Sequence, residues 1–542
     1  LVFDLISEKW LPVVTTSGQT DEIGLATLFS SAGELRRLVG QTPTMTAALH
    51  RMVLALAHRA LGPATEDDWA VLWRRGDLWT DDVRRYLRDD RERFDLFHPD
   101  RPFLQCRSLA TREPSGIARL VPFRASGSNA TLFDHTTAGD RLRLTPAEAA
   151  RWLVTLQCYD PGGLKTAAFA GAARASERAP ANNFGCVLVE GATLKETVLL
   201  NLLCYDPLAG EPPLTYADDC PNWEDPGSAQ PRPDERHPRG WTDVLTWPAR
   251  RVLLSTGDSA ETPMVDGVVI TPGTRLRSAS ADQQDERMAA FRRPIMRGTK
   301  RGRFELRPVK LEEQRGVWRH AEELLLPSDQ RSSIDQSDRR RPAALDAIAD
   351  RTDSGLLPDD AVYTLRVYGQ QLDSKAAVVQ FWQEESVPAP VALLRAGVGS
   401  ARMGDVIGYS CRLADDVGFL LRRLDKGYRE EFKATPPPEL ELSYWPHLTG
   451  PFHTFIVALG KAVAFVTGER EHTAVEAWRG AVAQIAHAAA DRWVYGAARL
   501  GARELSMAGK HDGTFRHKLD ERLALHRIEV SRFLRPEDGE MM

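Results

Sequence analysis

The chain has 542 residues, of which 42% are hydrophobic, 27% charged and 8% aromatic. At ~150 residues per domain this length implies three or four structural units, and the ordinary composition excludes wholesale disorder, a collagen repeat and a membrane bundle. Lys and Arg number 70 against 75 Asp and Glu, a net charge of -5, so any polyanion must be met by a local patch and not by the overall field.

No run approaches the ~18 consecutive apolar residues of a membrane span. Asp4 and Glu8 interrupt the opening residues where an export signal would be apolar, so the expected location is the cytoplasm, with no membrane partner. The six cysteines (Cys106, Cys158, Cys186, Cys204, Cys220 and Cys411) include no C-x-x-C, which argues for reduced thiols over a disulfide framework or a structural zinc site.

In chain order, Val13-Val14-Thr15-Thr16 reads as a strand, and residues 44–60 carry apolar side chains at helical spacing. Thr145-Pro146-Ala147-Glu148 has the form of a helix start, with a capping hydroxyl, a proline in the first turn and an acid at the third position. Strands follow at Cys186-Val187-Leu188-Val189, Arg251-Val252-Leu253-Leu254 and Val268-Val269-Ile270, with a helix over 194–203. Segments 207–240 and 331–341 lack periodic apolar residues and read as exposed connections. After Glu384-Glu385-Ser386-Val387-Pro388-Ala389-Pro390 the pattern turns helical, in blocks 391–433, 439–467, 474–509 and 514–534. The short breaks between them, at 436–438, 468–471 and 509–513, force successive helices antiparallel. Small or apolar residues Ala477, Ala481, Ile485 and Ala488 form the expected packing stripe of the third. The expected fold is α+β, with a large mixed domain over 1–387 followed by an antiparallel four-helix bundle over 388–542.

Enzyme signatures are sparse. Gly162-Gly163-Leu164-Lys165-Thr166 lacks the glycine spacing of a phosphate loop, and there is no G-x-S-x-G, H-E-x-x-H, EF-hand or G-x-G-x-x-G pattern. His98 beside Asp95, and His135 beside Asp134, are the residues a stand-alone hydrolase or nuclease would use; a third possibility is a purely structural helical scaffold. Three non-catalytic tips carry more. Segment 291–303 holds Arg292, Arg293, Arg297, Lys300, Arg301 and Arg303 with no acid, punctuated by Pro294, Gly298 and Gly302, a form suited to neutralising phosphate. Tyr159-Asp160-Pro161-Gly162-Gly163 lets another backbone approach closely. Residues Tyr368-Gly369-Gln370-Gln371-Leu372-Asp373-Ser374-Lys375 form a polar hairpin-like tip.

Three segments resemble the CasA family, the large subunit of the type I-E CRISPR surveillance complex, Cascade: residues 3–13 (FDLISEKWLPV), 94–105 (FDLFHPDRPFLQ) and 196–203 (ETVLLNLL). The resemblance spans essentially the whole chain. It implies a non-catalytic subunit that reads the protospacer-adjacent motif of double-stranded target DNA, starts strand separation and recruits a helicase-nuclease. Guide RNA and other Cascade subunits are the further partners, and neither cofactor nor metal is expected. In the family a glycine loop, a basic finger and a polar wedge enter the duplex from the minor-groove side, whose degenerate edges suit tolerance of related motifs. The glycine loop falls on Gly162 and Gly163, with Lys165 beside it. The wedge falls on Ser374 and Lys375 when aligned from Ala376, or on Gln370 and Gln371 when amide chemistry decides. The finger falls on Arg275 and Arg277 by distance from Met288, or on Arg297, Lys300 and Arg301 by charge. A loop toward guide RNA and neighbouring subunits falls on Asn129, Phe133, Asp134 and His135. The family's Asn-Gln wedge pair and the closely spaced cysteines of some relatives are not matched here.

Overall fold

Thr42 opens the central helix of the N-terminal half: its hydroxyl accepts from the Met45 amide, Pro43 occupies the first turn, and Gly62 closes the helix in the left-handed region at φ +36°. This helix, Pro43–Leu61, is buried along almost its whole length and packs against the helices Pro146–Tyr159 and Trp241–Leu245. The computed structural model describes residues 2–124, 142–257, 263–277, 286–292, 306–311, 316–327, 339–395, 398–432, 440–465 and 468–536. The chain divides into two compact units, one formed by residues 1–289, 303–310 and 366–384, the other by 290–302, 311–365 and 385–542.

In the first unit, strand Leu11–Thr15 lies between Thr20–Ile23 and Leu35–Leu38, all antiparallel, with Val13 opposite Leu38. Strands Arg250–Thr256 and Val265–Pro272 form an antiparallel pair extended by Ser115–Gly116. Hairpin 366–384, part of strands Val362–Leu372 and Val379–Pro390, extends the strand Cys186–Glu190. An ion-pair ladder fixes its base: buried Glu190 meets Arg36 at 3.0 Å and also Arg366, which reaches Glu384 at 2.9 Å. The expected strands and the helices at 44–60 and 194–203 are therefore present, the latter as Leu194–Asn201. Burial pushes the Cys158 and Cys186 thiols up to about 11 and about 12, which keeps them protonated and inert.

Segment 207–240 is less exposed than its composition suggests. Asp219 is buried and its carboxylate accepts from the Tyr205 hydroxyl at 2.9 Å, the Thr242 amide at 3.0 Å and hydroxyl at 2.8 Å, and the Asp243 amide at 3.0 Å. A polar anchor replaces the missing apolar stripe.

The second unit is built on four long helices, Val398–Glu431, Trp445–Ala464, Gly468–Ala498 and Ala502–Ser531, that pack on one another. Several sequence expectations fail here, and the expected break at 468–471 already belongs to the helix Gly468–Ala498. Residues 509–513 lie inside a continuous helix; the break falls at 499–501, because Ala508, Phe515 and Leu519 bury one face across the glycines. The buried stripe of Gly468–Ala498 runs through Ala474, Trp478, Val482 and Ala486, while Ala477 and Ala488 are exposed. Trp478 selects that face by meeting Phe452, with ring centroids 5.4 Å apart, and Trp318, 5.8 Å apart. Buried Trp318 explains why residues 311–365 group with these helices. The end of the supposed loop 331–341 is also inside: Arg339 meets Glu322 at 3.0 Å, and Arg341 meets Asp346 at 2.7 Å while donating to the Leu325 and Leu394 carbonyls, each at 2.7 Å.

Candidate nucleic-acid interface

The glycine turn begins where helix Pro146–Tyr159 ends. Its start is a complete capping box, the Thr145 hydroxyl accepting from the Glu148 amide and Glu148 accepting from the Thr145 amide. Beyond the last turn, Gly162 donates to the Ala376 carbonyl at 2.9 Å, and Gly163–Leu164 pairs antiparallel with Ala175–Ser176. A Cβ on Gly162 would lie 3.2 Å from both the Arg178 nitrogen and the Ser176 oxygen, so a side chain is crowded there. Gly163 has φ +112°, which favours glycine, and no neighbour lies within 4 Å of where a Cβ would be. One glycine lets the chain pack against its own backbone; the other leaves an open surface.

Gln370 and its neighbours divide the hairpin into a latch and a tip. The Gln370 amide donates to the Tyr159 carbonyl and to Asn182 Oδ1, both at 2.7 Å, and its Oε1 accepts from Trp382 Nε1 at 3.1 Å. Gln371, Ser374 and Lys375 are exposed. Asp373 organises the tip: its carboxylate accepts from the Ala377 amide at 2.7 Å and the Val378 amide at 2.9 Å, while Ala376 sits in the left-handed region at φ +54°. Those amides, Val378 first, hold its carboxyl below the usual carboxylate range. The tip contacts are therefore complete at neutral pH and are lost only as pH falls through that lowered value. Asp373→Ala is expected to speed hydrogen exchange at Ala377 and Val378 by about tenfold, leaving amides elsewhere in the unit unchanged.

Arg275 and Arg277 flank a short parallel pairing of Arg275–Leu276 with Glu235–Arg236. Arg275 meets Glu177 at 2.7 Å, and both arginines lie 3.8 Å from Glu235; all are largely exposed. Glu177 follows Ser176, the residue opposite Gly163. The glycine turn, the hairpin tip and the arginine strand thus meet within one unit, linked through Ala376, Ser176 and Glu177. A cleft of about 470 Å³ opens beside them, lined by Arg119, Asp160, Gly162, Lys165, Gln370 and Val378. Lys165 is turned inward, 2.6 Å from Asp160; burial lowers its pKa, and Asp160 offsets only part of that shift. Lys375, Arg275 and Arg277 are exposed cations of the patch, and Arg119, Arg174 and Arg178 are exposed beside the glycine turn.

Arg297, Lys300 and Arg301, and likewise Asn129, Phe133, Asp134 and His135, lie outside the described residues. His98 Nδ1 accepts from the Asp100 and Arg101 amides at 3.2 and 3.1 Å, and Asp95 accepts from the Phe3 and Phe97 amides at 2.9 and 3.0 Å. Both hold loops together, and the Phe3–Asp95 bond joins the opening segment to 94–105. Among the described residues no group of three His, Cys, Asp or Glu side chains could hold a metal ion, and no helix is long and apolar enough to cross a membrane. Sequence reading missed Asp160, Asn182 and Arg250. Asp160 had a local signal, directly before Pro161-Gly162; the other two had none.

The family model for CRISPR-associated protein Cse1 matches residues 4–489. The CRISPR-associated protein CasA/Cse1 of Thermus thermophilus is 31% identical, over 96% of this chain and 97% of its own. The crystal structure of Thermobifida fusca Cse1 matches with a TM-score of 0.80 at 28% identity, over 97% of this chain and 98% of that one. A chain described as a CRISPR RNA-guided surveillance complex shares the fold, with a TM-score of 0.71 at 21% identity, over 95% of this chain and 99% of that one. With matched residues running from the opening segment into the third long helix, the chain belongs to the CRISPR-associated Cse1 (CasA) family.

Proposed function

We propose that this chain is a non-catalytic subunit of an RNA-guided surveillance complex. It reads the motif beside a target in double-stranded DNA, helps start strand separation, and recruits a helicase-nuclease once guide RNA has paired. The observation that carries this reading is the convergence, in one unit, of an open glycine turn, a polar hairpin tip and two exposed arginines. Arginine and lysine there neutralise phosphates, and the glycine turn admits a backbone at close range. Fold similarity to a chain of a surveillance complex supports the assembly.

The test is to express the chain with the neighbouring subunits and a guide RNA and purify it by a tag. A guide-length RNA and several polypeptides are expected to co-purify, and motif preference to appear only in that assembly. The free subunit is expected to bind duplex DNA weakly, with affinity falling steeply with salt. A chain that purifies alone and turns over a substrate, losing that activity on His98→Ala, would support the hydrolase reading instead.

A further inference from the structure

Beneath the patch lies a buried cation, Arg250, whose Nε and Nη2 donors reach the glycine turn and the strand opposite it. The Arg250 side chain is 2% exposed. Its Nε donates to Asp160 Oδ2 at 2.5 Å, Nη1 to the Ala249 carbonyl at 2.7 Å, and Nη2 to the Pro161 carbonyl at 3.1 Å and the Glu177 carbonyl at 2.7 Å. Pro161 immediately precedes Gly162, and Glu177 immediately follows the partner of Gly163, so a single guanidinium spans both sides of the two-residue ladder. The exposed carboxylate of that same Glu177 meets Arg275. Arg250 is itself fixed: its amide donates to Gln157 Oε1 at 2.9 Å and its carbonyl accepts from Gln157 Nε2 at 3.0 Å. The turn is further tied by the Asp160 carbonyl, which accepts from the Ala179 amide at 2.9 Å and from Asn182 Nδ2 at 3.2 Å.

We infer that Arg250 is a positioning residue for motif recognition, holding the glycine turn and the strand opposite it in one geometry without touching DNA itself. This rests on the reading of the patch as DNA-facing. A lysine cannot take its place, because an ammonium concentrates three donors at one point whereas the guanidinium reaches four acceptors in a planar fork.

The assembled complex carrying Arg250→Lys or Arg250→Gln is tested against motif-bearing and motif-lacking duplexes over a salt series. Affinity for the motif duplex is expected to fall by roughly tenfold or more, from the loss of charged hydrogen bonds that shape the turn. Affinity for the motif-lacking duplex and the salt slope should stay unchanged, since no phosphate contact is removed. An unchanged ratio between the two duplexes, or equal losses on both, overturns the inference. Should neither variant assemble, Asp160→Asn, which keeps the three carbonyl contacts of Arg250, is expected to lower the same ratio by a smaller factor, and no change in that ratio overturns the inference. Lys375→Glu and Arg275→Glu are measured in parallel. If they abolish capture while the Arg250 variants keep the ratio, only the positioning role fails; if capture survives them, the DNA-facing reading itself fails.

Discussion

Reversing Lys375, Arg275 and Arg277 together to Glu is expected to abolish target capture by the assembled complex while leaving the fold of the subunit intact. All three side chains are exposed, and the contacts of Arg275 and Arg277 to Glu177 and Glu235 are surface ion pairs, each worth about 0–1 kcal/mol and readily exchanged for phosphate. Neutralising one of them should reduce the slope of log affinity against log salt by about one, because one phosphate contact and its released counterion are lost. Reversal adds repulsion, so the triple variant should fall below detection at physiological salt. The measurements are a duplex-binding titration at several salt concentrations and a thermal unfolding scan. A triple variant that still captures motif DNA with an unchanged salt slope would show that the patch does not face the duplex. Lys165→Gln is expected to have a weaker effect on that slope, since its ammonium already faces Asp160 inside the cleft.

Acid is expected to destabilise the helical unit through His526. The ring is fully buried on the helix Ala502–Ser531, and neither nitrogen has a hydrogen-bond partner among the described residues. Burial, then Arg522 and Arg479, lowers its pKa to about 3. The unfolded chain takes up a proton below the ordinary imidazole value of 6.5 while the folded chain does so only near 3, so stability falls as pH drops between these two values. Each pH unit in that window removes about 1.4 kcal/mol, or roughly 2–3 kcal/mol by pH 4.5. His526→Phe removes two unsatisfied nitrogens from a buried position beside Arg522 and Arg479 and should raise the melting temperature at neutral pH and flatten its acid dependence. An unchanged pH profile in that variant would mean that His526 is not the group responsible. In the first unit, His50 is likewise buried, with its pKa lowered to about 4, and adds a similar acid-sensitive contribution there.

What could be read from residues alone was what local chemistry determines. Thr145-Pro146-Ala147-Glu148 announces its helix because the hydroxyl, the proline and the acid act within one turn. Gly162-Gly163 is visible because glycine has a distinct conformational range. How the turn is supported was hidden because the contacts come from far along the chain: Gln370, marked as part of a polar tip, reaches back to Tyr159 across 211 positions, and Arg250 reaches Asp160 across 90. No spacing marks Arg250 or foretells either contact. The same division separates success from failure in the helical unit. Helical periodicity was plain, but the buried face of Gly468–Ala498 follows the contacts of Trp478, and the glycines at 509 and 513 yield to burial of Ala508, Phe515 and Leu519.

The way the chain threads its two units constrains how the protein can be taken apart. A fragment ending at residue 289 lacks the 366–384 hairpin, which belongs to the same unit. Such a piece would leave the Tyr159 carbonyl and Asn182 without Gln370, and buried Glu190 without Arg366, keeping its ion pair with Arg36. Cloning boundaries drawn by linear position therefore sever a unit that is discontinuous in the gene, and a faithful minimal fragment needs the distant hairpin stitched back in.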